Sequence, residues 1–451
     1  MHKAYLGIDL GTSSVKVLFI LNRTILQQSS CVYETRDPAG WINALAHALG
    51  EIRDLKLVRA VGLCGQAGTY IINGEAVLHW HEAAGMRELD RILQALPDEV
   101  FLEETGMKHP KLISYPLPRL LYAKEHFPVL REVLQPKDLL IRTLTDGTVS
   151  DPYTWRGLAN AKLNAFSLRL LRTYGIDRNI LPKLTSPFEK AGTICPEAAR
   201  LTGLAEGTPV YTGLNDFYAA LLGMGIITAG EWFDLTGTSE HLGLVQDSPD
   251  IRTDLISSPY LTGYVHYGVT ASSGASLIFG RDTFPGIADH PERYMEDAPV
   301  FWPYLNGERA PVFDPQAKGA FYGITGSTTP AHMAYAVQEG VAFSLYDIFS
   351  HLHADGKDRV ILGGGAADMT VLNRLKAALL NKTLLLPACS EASALGAAMT
   401  AMLGEGELSG LSEAASLVTP LQTYVPDAKL RSGLLQRFEV YRSLYRKIKE
   451  S

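Results

Sequence analysis

The chain has 451 residues, enough for two or three domains with ample buried core. Hydrophobic residues make up 46% and charged residues 20%, and the formal net charge is −7. This balance excludes a disordered or fibrous chain and argues against a non-specific nucleic-acid binder, which needs a basic surface. Cys31, Cys64, Cys195 and Cys389 stand far apart with no Cys-x-x-Cys pair, which excludes a zinc ribbon or disulfide scaffold and fits a reducing compartment.

In chain order, Leu6, Ile8 and Leu10 alternate with Gly7 and Asp9. Gly11-Thr12-Ser13-Ser14 then turns, and Val15, Val17 and Phe19 resume a period of two, which predicts a β-hairpin. The same stretch, residues 1–21, carries Asp9 and Lys16 and so lacks the apolar core of a signal peptide. Strands are predicted at Leu57–Cys64 and Pro209–Leu214, and helical spacing at Pro118–Lys124 and Leu163–Tyr174. Near residue 230 the pattern restarts: Glu231–Thr236, the turn Gly237-Thr238-Ser239, and a second run His241–Val245 form another hairpin with a Gly/Thr/Ser tip. A helix Ala331–Leu352, a strand Arg359–Leu362, the turn Gly363-Gly364-Gly365 and a helix Thr370–Leu380 follow. Glu391–Leu403 reads as a small-residue helix and Phe438–Lys449 as a basic amphipathic one. Alternating strands and helices predict an α/β protein, and the recurring hairpin suggests two similar halves, residues 1–227 and 228–451. The apolar stretches fall short of the ~18 residues that span a bilayer; with no targeting signal, a cytoplasmic protein without membrane or nucleic-acid partners is expected.

Common nucleotide and zinc motifs are missing. No Gly-rich loop precedes Lys382-Thr383, Gly363–Asp368 ends in Asp where a dinucleotide fingerprint needs Gly, and no His-Glu-x-x-His occurs. What remains is the pair of hairpin tips. A tip of Gly and small hydroxyl residues can aim N–H and hydroxyl groups at one anion, and Asp9 at the end of its strand is placed to hold Mg²⁺ against phosphates. Equally, Gly11–Ser14 can be a plain turn with Asp9 as a local Asx cap. Gly363-Gly364-Gly365 lets backbone approach a flat ligand or is simply a tight strand-to-helix turn. Asp216 lies at the carboxyl end of an apolar strand, where ligands gather in α/β folds; it can act as a base or as the N-cap of a helix Tyr218–Leu222.

Together these segments resemble the FGGY carbohydrate kinases, which share the actin/hexokinase/Hsp70 type of ATPase domain, and the match runs end to end. Gly7–Lys16 resembles the family's first phosphate motif, Gly62-Leu63-Cys64-Gly65-Gln66 its I-G-x-S-G-Q strand, and Pro136–Leu140 its P-K-D-Y-L helix start. Gly213–Asp216 is similar to the G-G-x-D element, Gly237-Thr238-Ser239 to the second phosphate motif, and Pro303–Arg309 to the P-Y-L-x-G-E-R signature. Gly319–Gly340 follows the second family signature, Gly363–Ala366 the adenosine motif, and Glu391–Ala398 the small-residue helix behind it. The resemblance implies two ribonuclease-H-like domains with a cleft between them and ATP and Mg²⁺ as cofactors. It implies Asp216 as general base and Asp9 at the metal, through water. Gly11, Thr12, Ser13, Gly237 and Thr238 would meet phosphates, while Gly274, Gly364, Gly365 and Ala366 would border the nucleoside. Gln66, His81, Glu82, Asn215, Asp216 and Phe217 would face a small sugar or polyol, a ketopentose such as xylulose as first guess. A homodimer is compatible with the sequence.

The sugar side departs from the family. Xylulokinase-like relatives carry Met-His-Gly after Gly-Gln, where this chain has Ala67-Gly68-Thr69. The family's Trp-x-Asp-x-Arg loop is replaced by His79-Trp80-His81-Glu82-Ala83-Ala84, with Glu82 and His81 as the available hydrogen-bonding groups or else a surface loop. The alternatives are a degenerate kinase serving as a sugar-binding or regulatory module and an actin/Hsp70-like ATPase. The latter would have no use for Asp216 or for Glu308-Arg309.

Overall fold

The computed structural model describes residues 3–237, 239–271, 273–284 and 293–450, with side chains up to Tyr445. Thr238, assigned above to the second phosphate tip, lies outside the described residues. The chain forms two compact units. One comprises Met1–Ile227, Ser258–Leu261 and Glu391–Val418; the other comprises Thr228–Ser257, Thr262–Ser390 and Thr419–Ser451.

In the first unit the hairpin strands are β1 (Ala4–Leu10) and β2 (Ser14–Leu21), continued by β3 (Thr24–Val32). Helix α1 (Pro38–Gly50) leads to β4 (Val58–Gly65). Later come α2 (Pro136–Thr145), β5 (Lys190–Thr193), β6 (Pro209–Asn215) and α3 (Asp216–Gly223). Across the sheet the order is β3-β2-β1-β4-β6-β5. β1 and β6 each pair in parallel with β4, and the remaining neighbours are antiparallel. Leu6, Ile8, Val17, Val61 and Leu63 from these strands join Trp41 and Leu45 of α1 in one buried core.

The second unit repeats this plan. Its hairpin is β7 (Trp232–Thr236) and β8 (Glu240–Gln246), continued by β9 (Gly263–Thr270). Helices α4 (Ser273–Thr283) and α5 (Pro330–His351) precede β10 (Arg359–Gly363), α6 (Thr370–Leu380) and β11 (Thr383–Pro387). With the strand Pro420–Tyr424, β12, six of the sheet's seven strands run in the order β9-β8-β7-β10-β11-β12, and the seventh, Ile256–Tyr260, lies beyond β9. Its pairings run antiparallel, antiparallel, parallel, parallel, antiparallel, the same series as in the first unit. The recurrence seen at the two Gly/Thr/Ser tips is therefore a repeat of six strands, to which the second sheet adds a seventh at its edge.

Between those last two elements the chain returns to the first unit as helix α7 (Ala392–Gly404). Its small residues are a packing requirement. A Cβ on Gly396 would run into the carbonyl oxygen of Ala219 on α3, and one on Gly62 of β4 into that of Ala397. Backbone thus lies on backbone, an approach only glycine permits.

Two expectations need correction. Leu163–Tyr174 is not one helix. Asn164 has a positive φ of 48° in a tight turn, Ala165–Phe166 pairs with Ala159–Asn160, and only Leu168–Thr173 is helical. The C-terminal helix is longer than Phe438–Lys449, running Ala428–Glu450, and buries Leu434, Phe438 and Tyr441. Trp302 and Tyr304 pack against it through hydrogen bonds to Tyr441. No helix among the described residues is long and apolar enough to cross a membrane.

Candidate active site

The first unit gathers Asp9, Gln66, Asn215 and Asp216 at the ends of β1, β4 and β6. The turn after β1 closes with the Gly11 N–H donating to the Ser14 carbonyl at 3.1 Å, and the Tyr33 hydroxyl donates to the Gly11 carbonyl at 3.1 Å. Asp9 does not cap this turn. It is buried, and its Oδ1 accepts from the Cys64 thiol across the β1–β4 pair at 3.3 Å. Lys16, opposite Asp9 in the register, pairs instead with Glu391 at 2.6 Å. Burial pushes the Asp9 carboxyl up to about 6, because the charged form has lost its water.

Asp216 is not the helix cap either. The Asn215 side chain fills that role, accepting from the Tyr218 N–H at 3.0 Å and donating from Nδ2 to the Tyr153 carbonyl at 3.0 Å. Both ends of Asn215, expected at the substrate, are therefore engaged within the protein. The Asp216 carboxyl meets the Phe217 N–H at 2.7 Å. Burial first, and then the neighbouring Asp9 charge, raise it to about 7. Gly213, φ 68°, makes this possible: a Cβ there would collide with the Leu63 carbonyl of β4.

A small cavity of about 60 Å³ is walled by Ala67, Gly68, Tyr70, Tyr115, Thr154 and Arg156 among others, of which Ala67 and Arg156 also act on Asp216. Ala67 supplies a backbone hydrogen bond to Asp216. Gln66 is buried and accepts from the Thr69 hydroxyl at 3.2 Å. The Arg156 guanidinium lies 5.1 Å from the Tyr218 ring centroid, 5.4 Å from Tyr115 and 5.8 Å from Phe217. Nothing in the segment Asp151–Arg156 marked Arg156 in the sequence; only the tertiary placement of its aromatic neighbours does. Glu82 and His81 do not line the cavity. Glu82 accepts from the His79 N–H at 3.0 Å, and Arg119 ties the loop by donating to the carbonyls of His79, Trp80 and Glu82. His81 is exposed and stacks on His79. Below the loop, Lys137, buried with Asp138 and Asp151, makes ion pairs of 3.3 and 3.1 Å.

In the second unit, Gly237 of the second tip is exposed and its N–H donates to the Ser239 carbonyl at 2.8 Å. Gly364, φ 89°, presses against β7, where a Cβ would strike the Thr236 carbonyl. The adjacent Gly365 is exposed and faces open space, and Ala366 is half-buried. Gly274 is buried in the first turn of α4. A cavity of about 170 Å³ lies in the same unit, lined by Leu277, Phe284, Ala334, Val337, Gln338 and Met369 among others. Glu308 of the Pro303–Arg309 segment is buried and accepts from the Ala271 and Arg309 N–H groups at 2.7 and 2.6 Å, so this segment holds backbone in place next to α4.

Comparison with known proteins accounts for nearly the whole chain. Residues 4–223 match the N-terminal domain model of the FGGY family of carbohydrate kinases, and residues 235–405 match the C-terminal one. The xylulose kinase of Escherichia coli (strain K12) is 28% identical, covering 98% of this chain and 99% of that protein. The xylulose kinase of Bacillus subtilis (strain 168) is 26% identical, with 99% and 98% covered. Among solved structures, ligand-bound xylulose kinase from Lactobacillus acidophilus superposes with a TM-score of 0.87 at 22% identity, covering 100% of this chain and 99% of that one.

Proposed function

The chain belongs to the FGGY family of carbohydrate kinases, which transfer a phosphoryl group from ATP to a sugar, and on that premise we propose that it phosphorylates a hydroxyl of a ketopentose such as xylulose, with Asp216 as the general base. The observation that carries this is the state of Asp216. Asn215 relieves it of helix capping, and burial beside Asp9 raises its carboxyl to about 7. A base of that pKa is half ionised at neutral pH and can take the proton of an attacking hydroxyl as the O–P bond forms.

The supporting residues follow from the same unit. A sugar bound against Ala67, Gly68 and Arg156 lies next to Asp216. Guanidinium N–H groups and the neighbouring aromatic rings are suited to sugar hydroxyls and the ring's apolar face. Gln66, buried at the strand end, orients this wall, whereas Glu82 and His81 shape the loop rather than the pocket.

Mg²⁺ fits Asp9: it is a hard oxygen ligand whose carboxyl is pushed up by burial, and it has no direct lysine partner, since Lys16 pairs with Glu391, while the neighbouring Asp216 charge adds to the pull on a cation. Asp9 would hold the ion, which when bound neutralises charge on the transferring phosphates. The second unit supplies the nucleotide elements: the exposed Gly237 tip toward phosphates, and Gly365, Ala366 and Gly274 beside the nucleoside. The apolar cavity of Leu277, Val337 and Met369 is suited to a base.

The Arg156 guanidinium on the cavity wall also favours a second reading, a sugar acid whose carboxylate it would bind. The test is ADP release from Mg-ATP against ketoses, aldoses, polyols and sugar acids, with Asp216→Asn as control. Strong stimulation by a ketopentose, lost in the variant, supports the proposal. Stimulation by a sugar acid alone transfers the assignment to the second reading, and stimulation that survives Asp216→Asn removes the base.

A further inference from the structure

Beneath the second hairpin tip lies a charge cluster that the reading above does not use. Asp234 and Thr236 on β7, Glu240 on β8, Ser273 at the start of α4 and Lys376 on α6 are all buried. The Lys376 ammonium donates to Asp234 Oδ2 at 2.8 Å, to Thr236 Oγ1 at 3.3 Å and to Glu240 Oε1 in a short contact. The Thr236 hydroxyl bonds to Glu240 Oε1 at 2.7 Å, and the Ser273 hydroxyl donates to Glu240 Oε2 at 2.8 Å.

Two carboxylates in a dry interior repel each other and resist ionisation. Burial, and then the Glu240 charge, hold Asp234 well above the usual carboxylate range. For Glu240, burial pushes the same way, but the Lys376 charge and the surrounding hydrogen bonds outweigh it and hold the group below its ordinary value. Lys376 is thus the cation that lets both acids sit there, and its partners flank the tip on either side: Thr236 ends one strand and Glu240 begins the other. Glu240 then reaches Ser273, the residue before Gly274, while Lys376 itself belongs to the helix that follows the Gly363–Gly365 turn.

We propose that Lys376 is a positioning residue of the nucleotide site: its ammonium, clamped by Asp234, Thr236 and Glu240, fixes the phosphate tip, the start of α4 and the adenosine-side helix as one rigid body. This rests on the assignment of that tip and turn to ATP. The repeat makes the contrast plain. In the first unit the carboxylate near the tip, Asp9, is left without a direct lysine partner; in the second the corresponding carboxylate, Asp234, is held by a built-in lysine. Asp234, already paired with this lysine, is thereby withdrawn from metal binding.

The experiment compares Lys376→Met and Ser273→Ala with the full-length wild type, measuring KM for Mg-ATP and for the sugar well below each variant's melting temperature. Lys376→Met leaves buried acid unpaired, and the expected rise in KM for ATP is at least about tenfold, with KM for the sugar within twofold. Ser273→Ala removes one hydrogen bond to a charged group and is expected to raise KM for ATP about threefold to tenfold; it carries the test should Lys376→Met fail to fold. An ATP KM within twofold of wild type in the folded variants overturns the proposal, as does an equal rise for ATP and sugar. Gly365→Val separates this from failure of the underlying reading. If that variant also leaves ATP binding unchanged, the nucleotide is not at the turn; if it alone weakens ATP, only the role of Lys376 is lost.

Discussion

Asp216→Asn discriminates a catalytic from a structural carboxylate because the two roles predict opposite signs in stability. A carboxyl raised from 3.8 to about 7 is harder to ionise in the folded chain than in the unfolded one. Stability associated with it is therefore fully present below about pH 4 and is lost as pH rises through about 7. At about 1.4 kcal/mol per pH unit, a shift of roughly three units costs the fold at most about 4 kcal/mol at pH 8. Solvent reaching the half-buried group reduces that bound. Asparagine is nearly isosteric, keeps an oxygen for the Phe217 N–H now donating at 2.7 Å, and never has to ionise. It should melt above the wild type at pH 8, with the difference shrinking toward pH 4, while sugar phosphorylation falls about 10²–10⁴-fold, the usual contribution of a positioned base. In the wild type, the rate at limiting sugar should climb through about pH 7 as the carboxylate forms. The assays are coupled ADP release from pH 5 to 9 and thermal melts over the same range. A variant that keeps activity within tenfold, or that melts below the wild type at pH 8, refutes the reasoning, since either result makes Asp216 a fold-supporting group.

Three other substitutions test separate parts of the picture. Gly365→Val projects a side chain into space that no protein atom occupies, so the melting temperature should stay within about a degree while the Kd for ATP rises at least about tenfold, read by titration of the nucleotide. Arg156→Met removes the guanidinium from the cavity wall and should raise KM for the sugar about tenfold or more with KM for ATP unchanged; equal effects on both would place its role in folding. Gly396→Val puts a Cβ into the Ala219 carbonyl and should abolish soluble expression or lower the melting temperature by more than 10 °C, a change of several kcal/mol, whereas Ala398→Gly on the same helix should leave a folded protein.

What the sequence disclosed and what it withheld divide along the range of the interaction involved. Both hairpin tips, the strand leading to Asp216 and the helix Thr370–Leu380 were readable because period-two alternation, Gly/Thr/Ser turns and apolar helical spacing are written in adjacent residues. The stretch Leu163–Tyr174 misled because its leucines keep helical spacing while Asn160 and Asn164 bracket a turn; Leu163 is exposed, so its hydrophobicity reports no packing. Arg156, Lys376 and Ser273 were invisible for another reason: each acts through partners 33 to 142 residues away, among them Asp234 for Lys376 and Glu240 for Ser273, and no local pattern encodes that. The return of Glu391–Val418 to the first unit is of the same kind. Its small residues announced close packing but not against what. The repeated sheet order sharpens the point, since a shared topology gives both units a carboxylate near a Gly/Thr/Ser tip, yet chemistry is decided by what surrounds it. Asp9 is buried next to a thiol and another acid, which favours an incoming cation. Asp234 already has its cation in Lys376. One fold element used twice thus surrounds its carboxylate differently in each unit; under the proposed function this leaves Asp9 to a metal and withdraws Asp234 from one, and the difference comes from a lysine on a helix rather than from the hairpins themselves.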